Sequence, residues 1–578
     1  MGCHSSELHP PVKDTVASAW FQDVTEKAGL RFTHDAGPIG DYFMPQIMGS
    51  GAALFDFNND DRLDIYLLQN GGPKGAKNRL YQQMPDGVFR DVSEGSGLDV
   101  AGHSMGVAVG DVNNDGWADV LVTGYKEIHL FLNNGNSIFT DITKESGLAN
   151  PLWGMSASFV DYDRDGWLDL VVVNYVDYDP ARRCDGTAGL RDYCGPNVFS
   201  GTVAKLFRNL GPGASGIASA SRDRGIVRLV HFQDVTAPSG LGQKPGPGLG
   251  VVCADFNGDG WPDILIANDS KPNYLWINQR DGSFREEAAA RGLAYNGYGM
   301  EQGNMGIALG DINGDGLFDV FITHLTEETH TLWRQGPRGL FRDRTAAAGL
   351  AAPRWRSTGF GTVLADFNHD GAVDLALVNG RVLRRPEGEG HGLGGGNRQD
   401  VAPLFWRPYA ERNQLFANDG SGRFRDLSPT DPFGQLLAVS RGLACGDLDG
   451  DGALDLLVTT IGGPARLYRN VAPKEGHWLA LRAFDPAKQR DAYGAIVTIH
   501  ADGRRWLGVI NPGYSYLCSN APYTHFGLGP AEQLSSIQVR WPDGESTEEV
   551  FPGGAVDRRI ILRRGEGKTV SGTTSSER

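Results

Sequence analysis

The chain is short of positive charge. Its 578 residues carry 54 Lys and Arg against 70 Asp and Glu, a net of −16. That balance argues against a protein that holds nucleic acid through a basic surface. Long hydrophobic runs are also missing. No stretch of about 18 apolar residues occurs, so no transmembrane helix is expected. Cysteine is scarce, at six residues. Glycine is not: there are 80, without a Gly-X-Y period, which excludes collagen and points to many tight turns. Hydrophobic residues make up 40% and aromatics 10%, so the acidic excess does not mark a disordered chain.

The acid is concentrated. The pattern D-x-[ND]-x-D-[GD]-x-x-D occurs seven times and holds 24 of the acidic residues. Its positions 1, 3, 5 and 9 are Asp56, Asn58, Asp60 and Asp64 in the first copy. The second and third use Asp111, Asn113, Asp115, Asp119 and Asp161, Asp163, Asp165, Asp169. The fourth and fifth use Asp255, Asn257, Asp259, Asp263 and Asp311, Asn313, Asp315, Asp319. The last two use Asp366, Asn368, Asp370, Asp374 and Asp447, Asp449, Asp451, Asp455. Alternating oxygen donors on a tight loop suit a hard cation, above all Ca²⁺. No His or Cys recurs at these positions, which argues against zinc and copper. An EF-hand needs Glu at position 12, where this chain has only apolar residues such as Leu67 and Val122. Up to seven calcium ions are expected, and they would bring the charge from −16 to about −2. The alternative is an Asp-rich turn without metal. In the first copy Asp61 replaces the turn glycine, so a strained backbone or an altered site is expected there.

Each loop lies between two short apolar strands. A segment of type L-[YFW]-x-[NQ] follows each loop, and a segment F-x-[DE] completes the unit. Four strands per repeat predict an all-β, seven-bladed β-propeller over residues 20–472. One F-x-[DE] segment precedes the first loop and none follows the seventh. The N-terminal strand is therefore expected to close the last blade. Residues 473–565 alternate around Gly turns and predict a small C-terminal β-domain. Residues 1–19 are read as a tether and 566–578 as a disordered tail.

Two insertions, about 176–203 and 380–412, fall on the face opposite the acidic loops. That face collects Tyr42, Trp153, Tyr175, Tyr295, Tyr298, His324, Trp355, Trp406 and Tyr409. The expectation is a ligand surface, with simple packing of the long loops as the alternative.

The string GVAVGDVNNDGWAD resembles the FG-GAP, or VCBS, repeat of integrin α-chain propellers. Its likeness implies metal coordination by positions 1, 3, 5 and 9. Residues Gly494–Val497, His525–Gly529 and Trp541–Gly544 are similar to the hallmarks of the ASPIC/UnbV domain. The combination resembles the cartilage acidic protein family. It implies an extracytoplasmic calcium-binding protein without an established reaction.

Cys184 and Cys194 sit together in the first insertion and predict a local disulfide, which needs an oxidising compartment. Cys3 in MGCHSS is a candidate lipid site, with chance occurrence as the alternative. No catalytic motif stands out: GYSYL around Ser515 lacks a nucleophile elbow, and THLTEETH is not H-E-x-x-H. The leading expectation is a calcium-stabilised scaffold that binds a protein or glycan. An enzyme acting from the loop-rich face and a purely structural module are the alternatives. A buried His, Arg and carboxylate cluster would favour the enzyme. An aromatic patch would favour binding, and a fully packed face the structural module.

Overall fold

The computed structural model describes residues 18–186, 189–213, 221–222, 225–226, 228–385, 402–545 and 547–570. Cys3, most of the tether, part of the second insertion and the end of the tail lie outside them. Seven antiparallel sheets share one plan. In the first, Ala52–Phe55, Asp64–Leu67, Arg79–Gln83 and Phe89–Asp91 run from the centre outward. In the last, Ser440–Gly446, Asp455–Thr460 and Arg466–Asn470 are completed by Phe21–Asp23 from the N-terminus. Phe21 pairs with Asn470 across 449 residues of chain. The inner strands touch one another in sequence order, and the seventh returns to the first. The ring is thus closed by strand pairing and leaves no end blade with an unfinished sheet.

Both faces of the inner strands are buried, because each sheet packs between two neighbours. The second strands are enclosed in the same way, which is why segments such as Asp169–Asn174 and Asp374–Asn379 read as nearly continuous apolar runs with no period of two. One interblade core joins Phe55, Tyr66 and Leu80 of the first sheet to Val107, Val120 and Phe131 of the second.

The C-terminal domain has two sheets. One pairs His477–Asp485 with Thr524–Gly529 and, in parallel, with Arg558–Arg563. The other contains Ile496–Ala501, Arg504–Val509, Gln533–Arg540 and Glu548–Ala555. It also takes in Lys568–Val570, so the segment expected as tail begins as a strand. Its core is continuous with that between the second and third sheets: Leu481, Val497 and Trp541 share a cluster with Leu121, Leu130 and Phe159.

The domain is not a separate appendage. Residues 511–523 run into the centre of the ring and bond to all seven sheets. Ser519 exchanges backbone bonds of 3.0 Å with Ala52 and Leu54, and Leu517 accepts from Val107 N at 3.2 Å. Ser156 Oγ accepts from Leu517 N, and Asn511 donates to the Cys253 carbonyl. Ser515 exchanges two bonds with Ile307, and its Oγ accepts from Thr362 N. Asn520 Oδ1 accepts from Cys445 N at 2.9 Å. Inner strands carry backbone groups that need partners once water is excluded. This plug supplies them. Ser515 and Leu517 sit at φ 81° and 59°, a strained backbone retained where it makes those contacts.

From the other side the channel is sealed by Met44, Ile47 and Met48, the first insertion and the second. Tyr516 of the plug meets this layer, edge-on to Phe360 at 4.9 Å, and donates to the Met48 carbonyl at 3.0 Å. Tyr516→Ala should therefore lower the unfolding free energy by about 3–5 kcal/mol in a denaturant titration. Tyr298→Ala, at an 87% exposed position, should stay within about 0.5 kcal/mol.

Candidate functional site

The seven acidic loops lie on the face covered by the C-terminal domain, and one wiring recurs in all of them. The backbone N–H of position 6 donates to Oδ2 of position 1, at 2.7–3.0 Å. Position 7 N–H donates to Oδ1 of position 5. The Asp at position 9 is fully inside and bridges two strands. In Asp64, Oδ2 accepts from Phe57 N of the loop and Oδ1 from Gln83 N at the end of the third strand. The same two bonds recur at Asp119, Asp169, Asp263, Asp319, Asp374 and Asp455.

The terminal Asn or Gln of L-[YFW]-x-[NQ] then links the blades. The side-chain amide of Asn133 donates to the Phe57 carbonyl, in the loop of the preceding sheet, at 2.8 Å. Asn209, Asn278, Asn418 and Asn470 repeat this with Val112, Tyr162, Ile312 and Phe367. Gln83 closes the ring onto Leu448. Only Gln335 differs, bonding to Phe318 in its own loop. The motif was visible in the sequence; its partner across the blade boundary was not.

Positive φ occurs at two places per loop. Position 6 is the expected glycine in six copies, and Asp61 takes the same conformation at φ 65°. Position 4 is also left-handed throughout: Asn59, Asn114, Arg164, Gly258, Gly314, His369 and Gly450. Its recurrent Asn and Gly were the available signal.

Several oxygens in this wiring are left over. Oδ1 of Asn58, Asn113 and Asn313, at position 3, and Oδ1 of Asp161 and Asp366, at position 1, are buried without a hydrogen-bond partner. In the third loop Asp161, Asp163 and Asp169 bring ligand atoms within 4.8 Å of one another, and so do Asp447, Asp449 and Asp455 in the seventh. These two copies have Asp at position 3. Without a cation the cluster is electrostatically costly. Burial raises Asp64 to about 8, and raises Asp111, Asp161, Asp319 and Asp366 to about 7, with neighbouring carboxylates adding to it in each case. Asp119, Asp169, Asp263, Asp374 and Asp455 are pushed well above the carboxylate range for the same reasons. Unpartnered oxygen donors, converging carboxylates and a closed main-chain cradle fit a hard divalent cation.

The C-terminal domain reads the same loops with arginines. Arg559 reaches Asp447 at 2.6 Å, Arg540 reaches Asp255 at 3.3 Å, and Arg490 reaches Asp161 at 3.8 Å. Arg490 also donates to Asn114 Oδ1 and the Gly166 carbonyl. His525 and Trp506 meet the carbonyls of Gly452 and Gly371. A cavity of about 760 Å³ remains between the fifth and sixth loops and the strand Arg504–Val509, floored by Tyr514 and Tyr523 of the plug.

On the opposite face the expected ligand surface is mostly a core. Trp153, Tyr175, Trp406 and Tyr409 are buried, and His324 is fully enclosed. Trp153 stands edge-on to Tyr175 at 5.2 Å, and Tyr175 donates to Asp269 at 2.6 Å. Tyr409 donates to Asp192, also at 2.6 Å. Tyr42 packs against Tyr193 and Phe405. The insertions fold back over the channel, so their aromatics face inward. Arg441, also buried, donates to the carbonyls of Ile47, Gly380, Ser440 and Arg381, which makes it a brace for this lid. Tyr295 and Tyr298 remain exposed, with Met300 beside them. The Trp355 side chain lies outside the described residues. Cys184 and Cys194 form the expected disulfide, with Cα atoms 5.2 Å apart. Cys253, Cys445 and Cys518 are free and buried.

Comparison with known families finds the FG-GAP-like repeat at residues 56–122, 111–172, 255–322, 311–377 and 400–458, together more than half of the chain. The ASPIC and UnbV family matches residues 485–569. Cartilage acidic protein 1 of Xenopus tropicalis is 24% identical over 517 residues, covering 87% of this chain and 71% of the relative. The Homo sapiens protein of that name is 26% identical over 365 residues, or 61% of this chain and 49% of the relative. The chain thus spans about half the length of the human relative. Among solved structures, an Agrocybe aegerita lectin that recognises non-reducing terminal N-acetylglucosamine is 14% identical, with a TM-score of 0.35 over 75% of this chain and 92% of its own. Among the described residues no helix is long and apolar enough to cross a membrane.

Asp61 offers a test of the loop geometry. Asp61→Gly removes a side chain from a left-handed position and one negative charge from an acidic loop. It should raise the unfolding free energy by about 1 kcal/mol, measured by denaturant titration of the chelator-treated protein.

Proposed function

Because the chain belongs to the FG-GAP-like repeat family and carries an ASPIC and UnbV domain, we propose that it is an extracytoplasmic, calcium-stabilised β-propeller scaffold. In this reading Ca²⁺ is held by positions 1, 3, 5 and 9 of the acidic loops and serves stability. Such an ion supplies charge compensation and a fixed coordination geometry. The observation that carries it is the set of buried, unpartnered oxygens at Asn58, Asn113, Asn313, Asp161 and Asp366. The recurrent hydrogen bonds of these loops leave those oxygens without a donor, and a buried acceptor without a donor destabilises the fold. The Cys184–Cys194 disulfide supports placement in an oxidising compartment.

As a scaffold the molecule presents a protein or glycan ligand surface away from its packed lid. The loop holding Tyr295, Tyr298 and Met300 supports this, since exposed aromatics on a rigid framework are efficient contact residues. A glycan array and a pull-down with the calcium-loaded protein test it. Loss of the captured ligand on Tyr298→Ala is expected; equal capture by the variant would move the surface elsewhere.

Calcium itself is tested by thermal melting. Each occupied site adds about 1.4 kcal/mol for every tenfold excess of free ion over its dissociation constant. EDTA should therefore lower the melting temperature strongly, and Ca²⁺ but not Zn²⁺ should restore it. An unchanged melting temperature after chelation would show that the loops do not work as metal sites.

A further inference from the structure

The outer half of the fifth sheet breaks the repeat in a way the acidic loops do not explain. In each sheet, the residue before the terminal Asn or Gln of the third strand directly faces the residue after Phe on the outer strand. These pairs are Gln82 with Arg90, Leu132 with Thr140, Arg208 with Gln233, and Ile277 with Arg285. The sixth and seventh sheets pair Ala417 with Arg425 and Arg469 with Gln22. Only the fifth opposes two arginines, Arg334 and Arg342. The residue after F-x-[DE] is normally apolar, as at Val24, Val92, Ile142, Val235 and Leu427; in the fifth sheet it is Arg344. The other exception, Glu287 in the fourth sheet, is neutralised by Arg285 and Arg291.

No such neutralisation occurs in the fifth sheet. Arg334, Arg342 and Arg344 line a cleft of about 290 Å³ with Arg423, which comes from the turn before the outer strand of the sixth sheet. Gln335 and Ser421 add neutral polar groups, and no carboxylate lines it. Among the described residues Arg334 has one ion-pair partner, Asp315 at 3.8 Å, and its charge also acts on Asp319. The side chains of Arg342, Arg344 and Arg423 make no ion pair or hydrogen bond among the described residues. Two carboxylates of the flanking segments are engaged with local donors, although Asp419 still feels the charge of Arg423. Asp343 accepts from Gly297 N at 2.8 Å and from Thr345, while Asp419 accepts from Ser421 N and Oγ.

Like charges directly opposed on neighbouring strands destabilise a sheet. Four guanidiniums around one cleft outnumber the single distant ion pair that the described residues supply to it. We propose that this cleft binds a tetrahedral oxyanion, a sulfate or phosphate monoester at the end of a small molecule or glycan chain. The planar guanidinium fork pairs two donors with two oxygens of such a group, which a lysine cannot do. The cleft gathers four guanidiniums at one spot, which suits a single terminal charged group better than an extended polyanion. The cleft is too small for a drug-sized molecule. Asp343, between two of its arginines, anchors Gly297 of the Tyr298 loop, so the two features are neighbours, but the anion site does not rest on the function proposed for that loop.

Isothermal titration calorimetry of the full chain tests this, with glucose 6-sulfate and glucose 6-phosphate as probes and glucose as the uncharged control. One site for at least one of the esters and none for glucose is the expected result; the tighter ester identifies the anion. The double variant Arg342→Gln, Arg344→Val should bind roughly 10- to 100-fold more weakly. At low salt and without anion it should melt higher than the parent, because the like-charge contact is gone. Arg423→Gln, on an exposed turn, should weaken binding without altering melting, and Arg90→Gln on the first sheet should change nothing. Absence of ester binding below about 10 mM would overturn the proposal. So would equal affinity of the double variant, or of Arg423→Gln should the double variant fail to fold.

Discussion

The buried aspartate at position 9 is the point on which the ring depends. Each sits between its own loop and the end of the third strand, accepting one N–H from each. The residue that donates from the third strand sends its side-chain amide into the preceding blade in six of the seven sheets. A single carboxylate per repeat therefore sets the loop, fixes the hairpin to the next strand and aligns the latch to the neighbour. Burying that charge is unfavourable on its own, as the upward displacement of Asp64 and its counterparts shows. The compensation comes from main-chain N–H groups and, in the proposed reading, from a divalent cation, while arginines of the C-terminal domain pair with the aspartates at position 1.

The C-terminal domain completes what the propeller begins. Its arginines dock on acidic loops, and residues 511–523 hydrogen-bond to the inner strand of each sheet, in the third through the Ser156 side chain. The two modules share a hydrophobic core as well, through Leu481, Val497 and Trp541. Ring and plug thus form one cooperative unit, although the sequence divides them into repeats and a distinct segment. Loops and plug meet through the inner strands, since the strand that leads into each acidic loop is also the one that the plug bonds, and at the seventh loop Asp447 N donates directly to Tyr523 of the plug.

Much of this was legible in the residues. The five-point acidic pattern, the phase of F-x-[DE] and the pairing of Phe21–Asp23 with the last sheet follow from local spacing that repeats. Asp61 announced its strain by standing where six other copies have glycine. What stayed hidden was contact between distant segments. Asn133 and Phe57 are 76 residues apart, and Leu517 lies further still from Val107. No period links such pairs. The aromatics of the insertions misled for a related reason. Loop position gives the face of the ring, but whether a ring points outward depends on how the loop folds back, and here it closes the channel. The arginine cleft was present in the string FRDR, yet its meaning appears only when strand register sets Arg342 against Arg334.

Hydrogen–deuterium exchange of the intact protein, with calcium and after chelation, tests most directly whether loops and plug are one metal-linked unit. The amides at Gly116, Gly166, Gly371 and Gly452 should lose protection on chelation, and those of Ser515, Leu517 and Ser519 should lose it with them. Unchanged exchange at both places, or deprotected loops with a fully protected plug, would contradict the account.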